Sequence, residues 1–153
     1  MQENALHSPW LPDPDRTPGA VNPAITQANI GKTICKKGWS TKSIRPPVSY
    51  TTALKRKELS DWNYADKNMK HYELDHDIPL ELGGAPRDPK NLWAEPWSGK
   101  YGAYVKDRLE NQLHKLVCNG TLTLSQAQTS ISQNWISAYK RYVLNMPEIA
   151  SAP

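Results

Sequence analysis

The residues best suited to chemistry crowd into one stretch, DHDIPLELGGAPRDPKNL, residues 75–92. Asp75 stands directly before His76. A neutral imidazole titrates near working pH and can take a proton from water. A carboxylate beside it can hold a divalent ion against a phosphate oxygen. The pair therefore suits phosphodiester hydrolysis, which needs a nucleophile made from water and stabilisation of the charge that develops on phosphorus. Neighbouring strand residues point to opposite sides, so Asp75 and His76 cannot both face one site from a regular strand. The strand must end or bend there, and Pro79 with Gly83-Gly84 supplies such a break. An isolated Asp-His dipeptide carries little weight. Its spacing to Pro79-Leu80, Gly83-Gly84 and Asn91-Leu92 is what makes it informative.

Further candidates lie downstream. Asp107, Glu110 and His114 fall at i, i+3 and i+7, on one side of a helix. They form either a metal-ligand set or a solvated helix face. Lys106 and Arg108 between them could meet a phosphate. Asn91 either organises the motif or caps a turn. Trp93 and Trp97 could stack on bases, although packing against the hairpin is the simpler role. Gly83-Gly84 reads as a turn, since nothing here resembles a phosphate-binding loop before a helix.

The elements that must position these residues follow from periodicity. HYELDH, residues 71–76, reads as a strand with Tyr72 and Leu74 on one face. Asn91-Leu92-Trp93 reads as a short returning strand, and the stretch from Glu95 as a loop. Val105, Leu109, Leu113, Leu116 and Val117 form one apolar stripe, predicting a helix over 103–118. Asn119-Gly120 ends it. Thr123 with Gln126 is a capping-box pattern that opens a last helix to about Leu144. Ala127, Ile131, Trp135, Tyr139 and Tyr142 are its buried side. Ser49 is expected to cap a helix over about 50–61, and Asn22-Pro23 to start a short one through Ile30.

Composition bounds the rest. The chain has 153 residues, enough for one domain with its own core. Residues 1–24 read as an extended Pro-rich segment, 25–146 as the domain and 147–153 as a tail. The net charge of +4 favours an anionic partner. No apolar run approaches the length of a membrane span. Cys35 and Cys118 are the only cysteines. Without a CxxC pair they exclude a zinc ribbon, and they are either one disulfide or two buried thiols.

Asp75-His76, Pro79-Leu80, Gly83-Gly84 and Asn91-Leu92, within a stretch running from YELDH to KDRLENQLHKLVCNG, resemble the HNH (ββα-metal) endonucleases. The wider chain, from about Pro18 to Tyr142, is similar to small bacterial HNH-like proteins that are often secreted. The resemblance implies an α+β fold: a mostly helical single domain around a small ββα-metal hairpin-helix core. It implies a nuclease acting on DNA, and on RNA as a further possibility. His76 would be the general base, Asp75 the first metal ligand, and Asn91 the residue that holds the loop and orients the histidine. The metal would be a divalent ion, Mg²⁺ first, with Mn²⁺ or Zn²⁺ as alternatives. The usual His or Asn shortly after the second strand is missing, since AEPWSGKYGAY offers only Glu95 and backbone. The remaining ligand is then sought among Asp107, Glu110 and His114, with His114 and Asp107 preferred. Lys106 or Arg108 would stabilise the phosphate. The departure keeps two rivals open: a nucleic-acid-binding module without catalysis, and an exported structural or interaction protein. The resemblance favours a secreted or periplasmic location over a cytoplasmic one, and a monomer is assumed.

Overall fold

A computed structural model of the chain describes residues 9–147. Residues 1–8 and 148–153, the outer parts of the two terminal segments, lie outside the described residues.

The architecture is α+β. A two-stranded antiparallel hairpin, β1 (Tyr72–His76) and β2 (Leu92–Pro96), lies between helix α1 (Val48–Asp61) and helix α2 (Ala103–Cys118). Helix α3 (Leu124–Tyr142) packs on the far side of α2. In register, Glu73 pairs with Glu95, Asp75 with Trp93, and His76 with Leu92. Glu73, Asp75, Trp93 and Glu95 thus share one face of the hairpin, and Tyr72, Leu74, His76, Leu92 and Ala94 the other.

The stripe that predicts α2 is its contact with α3. Leu109, Leu113 and Val117 meet Ala127, Ile131 and Trp135 in the main core, all at most 1% exposed. Full burial of one such large side chain contributes roughly 1.5–3 kcal/mol. Trp135 also donates its indole Nε1–H to the carbonyl of Trp10 at 2.6 Å, which ties the N-terminal segment to the core. Thr123 and Gln126 cap α3 reciprocally, as the pattern predicts. Within α3, Asn134 leaves helical geometry and its side chain accepts from Ser137 N, so the helix kinks and is capped again there. A second, smaller core of Leu59, Tyr72 and Ala94 lies between α1 and the opposite face of the hairpin.

Several expectations need correction. Helix α1 starts at Val48 with Pro47 as its N-cap, and Ser49 lies inside its first turn without capping it. Proline fits there because its fixed φ suits a helix start. The returning strand begins at Leu92 and runs to Pro96, so Glu95 belongs to the sheet and not to a loop. The expected helix near Asn22 is a 3-10 turn at Gln27–Lys32. The N-terminal segment docks on the hairpin connection: Gly19 N donates to Lys90 O, Asn22 N to Gly83 O, and Ala85 N to Ala20 O. Cys35 and Cys118 form a disulfide across 83 residues, which is consistent with an oxidising, extracellular or periplasmic location. Among the described residues no helix is long and apolar enough to cross a membrane.

Candidate active site

Strand β1 ends at His76, where the sequence requires a break. The connection that follows is held by one side chain. Asn91 is fully buried, and its Oδ1 accepts from Ile78 N at 2.9 Å and Ala20 N at 3.2 Å. Its Nδ2 donates to Ile78 O and Ala85 O, both at 3.0 Å. The amide thus satisfies four backbone groups that no strand partner reaches. Gly84 lets the loop close this tightly: a Cβ there would lie 1.7 Å from Ile78 O.

The clamped loop brings the Pro86 carbonyl 3.0 Å from His76 Nε2. A carbonyl only accepts, so Nε2 carries the hydrogen and Nδ1 is the unprotonated nitrogen of the neutral ring. Burial, working against the bond to Pro86 and the charge of Asp75, lowers the His76 pKa below its ordinary value. The ring is therefore neutral at pH 7.

Across the hairpin face, α2 offers Lys106 and Glu110. Lys106 is 0% exposed. Its Nζ donates to Asp75 Oδ2 at 2.9 Å, to His76 O at 2.8 Å and to Glu110 Oε2 at 2.7 Å. An ammonium has three hydrogens, and each has one acceptor. Burial alone would lower the Lys106 pKa, but Asp75 and then Glu110 reverse this and hold it well above the usual value. Burial likewise pushes Asp75 up, but Lys106, with smaller help from Glu95 and His76, more than offsets it and leaves Asp75 below its ordinary value, so it stays ionised. Burial raises Glu110 and Glu95 well above the carboxylate range. Neither carboxyl oxygen of Glu95 meets a hydrogen-bond donor, and after burial it is the charge of Asp75 that raises it most. The centre of the site is then one ammonium held between the carboxyls of Asp75 and Glu110, with Glu95 buried on the same hairpin face as Asp75.

The structure brings together only some of the residues singled out by sequence. Asp75, His76, Asn91, Lys106 and Glu110 converge. Asp107 is exposed on the rim, where burial and Asp75 raise its pKa. His114 lies roughly 12 Å along the helix axis from Lys106, and its Nε2 donates to Ile34 O at 2.8 Å beside Cys118. Arg108 is on another side of α2, donating to the Tyr139 hydroxyl at 3.0 Å and lining a separate hollow with Gln112 and Lys115. Lys106 is buried and cannot reach a nucleic-acid backbone, which corrects its expected role as a surface contact. Glu110 is also buried, although the helical pattern reads as an exposed face. That pattern finds only one apolar stripe, whereas α2 is covered on two sides and its second side is covered by ions.

Two groups, Asp77 and Arg45, escape the sequence reading, and a third, Glu95, is named there but placed in a loop. Glu95 is fully buried in β2. Asp77 is 0% exposed with neither carboxyl oxygen hydrogen-bonded, and burial raises its pKa to about 7. Arg45 is exposed before α1, its Nε donating to Thr41 Oγ1 at 3.0 Å, and its charge acts on His76, Glu73, Glu81 and Asp107. The doubled acid of DHD could have flagged Asp77. Nothing local in the sequence marks Arg45.

The residues do not fit the divalent ion that the resemblance implies. Such an ion takes about six oxygen ligands in an open shell. Here the oxygens of Asp75, Glu110 and His76 converge on a side-chain ammonium. Among the described residues, the only His, Cys, Asp or Glu trio with ligand atoms within 4.8 Å of one another is Cys35, His114 and Cys118, and its two sulfurs are joined. Compared with known proteins, the chain matches no family model, no curated protein and no solved structure.

Proposed function

We propose that this protein is a nuclease that hydrolyses phosphodiester bonds, DNA first among its substrates, with His76 as general base. One observation carries the reading: His76 Nε2 is committed to Pro86 O by a loop that Asn91 clamps. A ring held in that tautomer presents Nδ1 as a proton acceptor, neutral at working pH. Such a base contributes typically 10²–10⁴-fold to a rate. The hairpin followed by a crossing helix, with Asp75 and His76 at the strand end, supports the same reading. Arg45 supports it from the solvent side, as an exposed guanidinium whose field reaches His76. Guanidinium is suited to bidentate contact with a phosphate. His76 Nδ1 would take the proton of the attacking water, and Arg45 would meet the phosphate oxygens.

A second reading, a nucleic-acid-binding module without catalysis, is favoured by one feature: Lys106 already occupies the space between Asp75 and Glu110, where the resemblance implies a catalytic ion. Incubation of the protein with supercoiled plasmid, single-stranded DNA and RNA, with His76→Ala alongside, separates the two. Nicking that is lost in His76→Ala supports the nuclease. Retention of nucleic acid without cleavage, equal in both proteins, selects the binding module.

A further inference from the structure

The cation at the hairpin mouth is part of the chain. We propose that the Lys106 ammonium fills the position at which a divalent ion would be held between Asp75 and Glu110, so that this site neither binds nor needs one. The inference deepens the nuclease reading, and only its cleavage arm rests on that reading.

Three observations carry it. The ammonium has used every hydrogen, on Asp75 Oδ2, Glu110 Oε2 and His76 O, at 2.7–2.9 Å. Its side chain is 0% exposed, and its stem is fixed in the first turns of α2, so it cannot leave as a water does when a metal enters. Of the remaining acids near it, Glu95 has both carboxyl oxygens buried without a hydrogen-bond partner, and burial raises it well above the usual carboxylate value. A divalent ion at this point would have to expel a buried cation and then find further oxygens.

Lys106 thereby acts as a positioning residue. It binds the carboxylate of Asp75 and the main-chain carbonyl of His76 at once, and so fixes the strand end that carries the base. In a metal-dependent site that task would belong to the ion. Here the helix performs it, with a charge that chelators cannot remove.

Mn²⁺ uptake followed by electron paramagnetic resonance on the full chain tests this directly. The wild type is expected to take up no Mn²⁺ here. Lys106→Ala, which leaves Asp75 and Glu110 around a vacated position, is expected to gain an ion, and Asp75→Asn in that background to lose it. Wild-type uptake that Asp75→Asn abolishes would overturn the proposal, as would a folded Lys106→Ala that gains nothing. If circular dichroism shows Lys106→Ala unfolded, wild type against Asp75→Asn decides alone: uptake lost on substitution overturns the proposal, and none in either supports it. In the cleavage arm, wild-type rates in excess EDTA and in Mg²⁺ are expected to agree within about twofold, where a required metal would change them by orders of magnitude. Abolition by EDTA with recovery in Mn²⁺ overturns the proposal. If no cleavage occurs under any condition, the nuclease reading fails, and Mn²⁺ uptake still decides this one.

Discussion

Helix α2 carries Lys106, Glu110, His114 and Cys118 at successive four-residue steps along one side, yet its two halves are finished differently. The N-terminal half ends in charge: Lys106 and Glu110 close onto Asp75 and the end of β1. The C-terminal half ends in a covalent bond: Cys118 is joined to Cys35, and His114 donates to Ile34 O beside it. The same helical ladder supplies a chemical site at one end and a staple at the other. Side-chain spacing alone does not decide which residues act together. The segment laid against each turn decides it: the hairpin against the first half, and residues 34–35 against the second.

That contrast can be broken from either end. Lys106→Met should have the largest effect on stability. It leaves Asp75 and Glu110 buried without their cation, and removing one partner of a buried pair costs about 3–5 kcal/mol. Urea denaturation should show this loss, and a variant within error of wild type would mean the ammonium is not what holds the strand end. Reduction of Cys35–Cys118 should cost about 2–5 kcal/mol, because the bond closes a long loop in the unfolded chain. Below the new melting temperature, cleavage should be unchanged, since no group of the site touches the bond. If reduction removes activity from a still-folded protein, the two halves are coupled. The smallest effect belongs to His114→Ala, which leaves Ile34 O without its donor at a cost of about 1 kcal/mol. Activity should remain at the wild-type level. A large loss of rate would return His114 to the site.

Much of the scaffold is legible in the sequence. The stripe Val105-Leu109-Leu113 predicts α2 with the bounds observed, and Thr123 with Gln126 marks the start of α3. Asp75-His76 and Asn91 are visible because their spacing to Pro79-Leu80 and Gly83-Gly84 marks a strand end and the connection that follows it. The rest was hidden for physical reasons. Glu95 sits in a strand rather than a loop because it pairs with Glu73 of β1, and Glu58 of α1 accepts from the adjacent Ala94 N at 2.9 Å, a contact 36 residues distant that no local pattern encodes. Lys106 reads as a surface cation, since a lysine is buried only when other elements bring acceptors to it. Glu110 reads as exposed for the same reason. Arg45 reaches the site from a segment thirty residues before the motif, through folding alone.

The account stands or falls on His76 acting as a neutral base, and the pH dependence of plasmid nicking tests that most directly. The folded-state pKa of His76 is lowered, chiefly by burial, so the base is available above that value and is protonated as pH falls through it. The wild-type rate should therefore decline on the acid side with a midpoint below the ordinary histidine value of about 6.5. In His76→Ala that limb should vanish along with most of the rate, and added imidazole should restore part of it. A rate that persists in His76→Ala with the same acid limb would contradict the account, because the titrating base would then be another group.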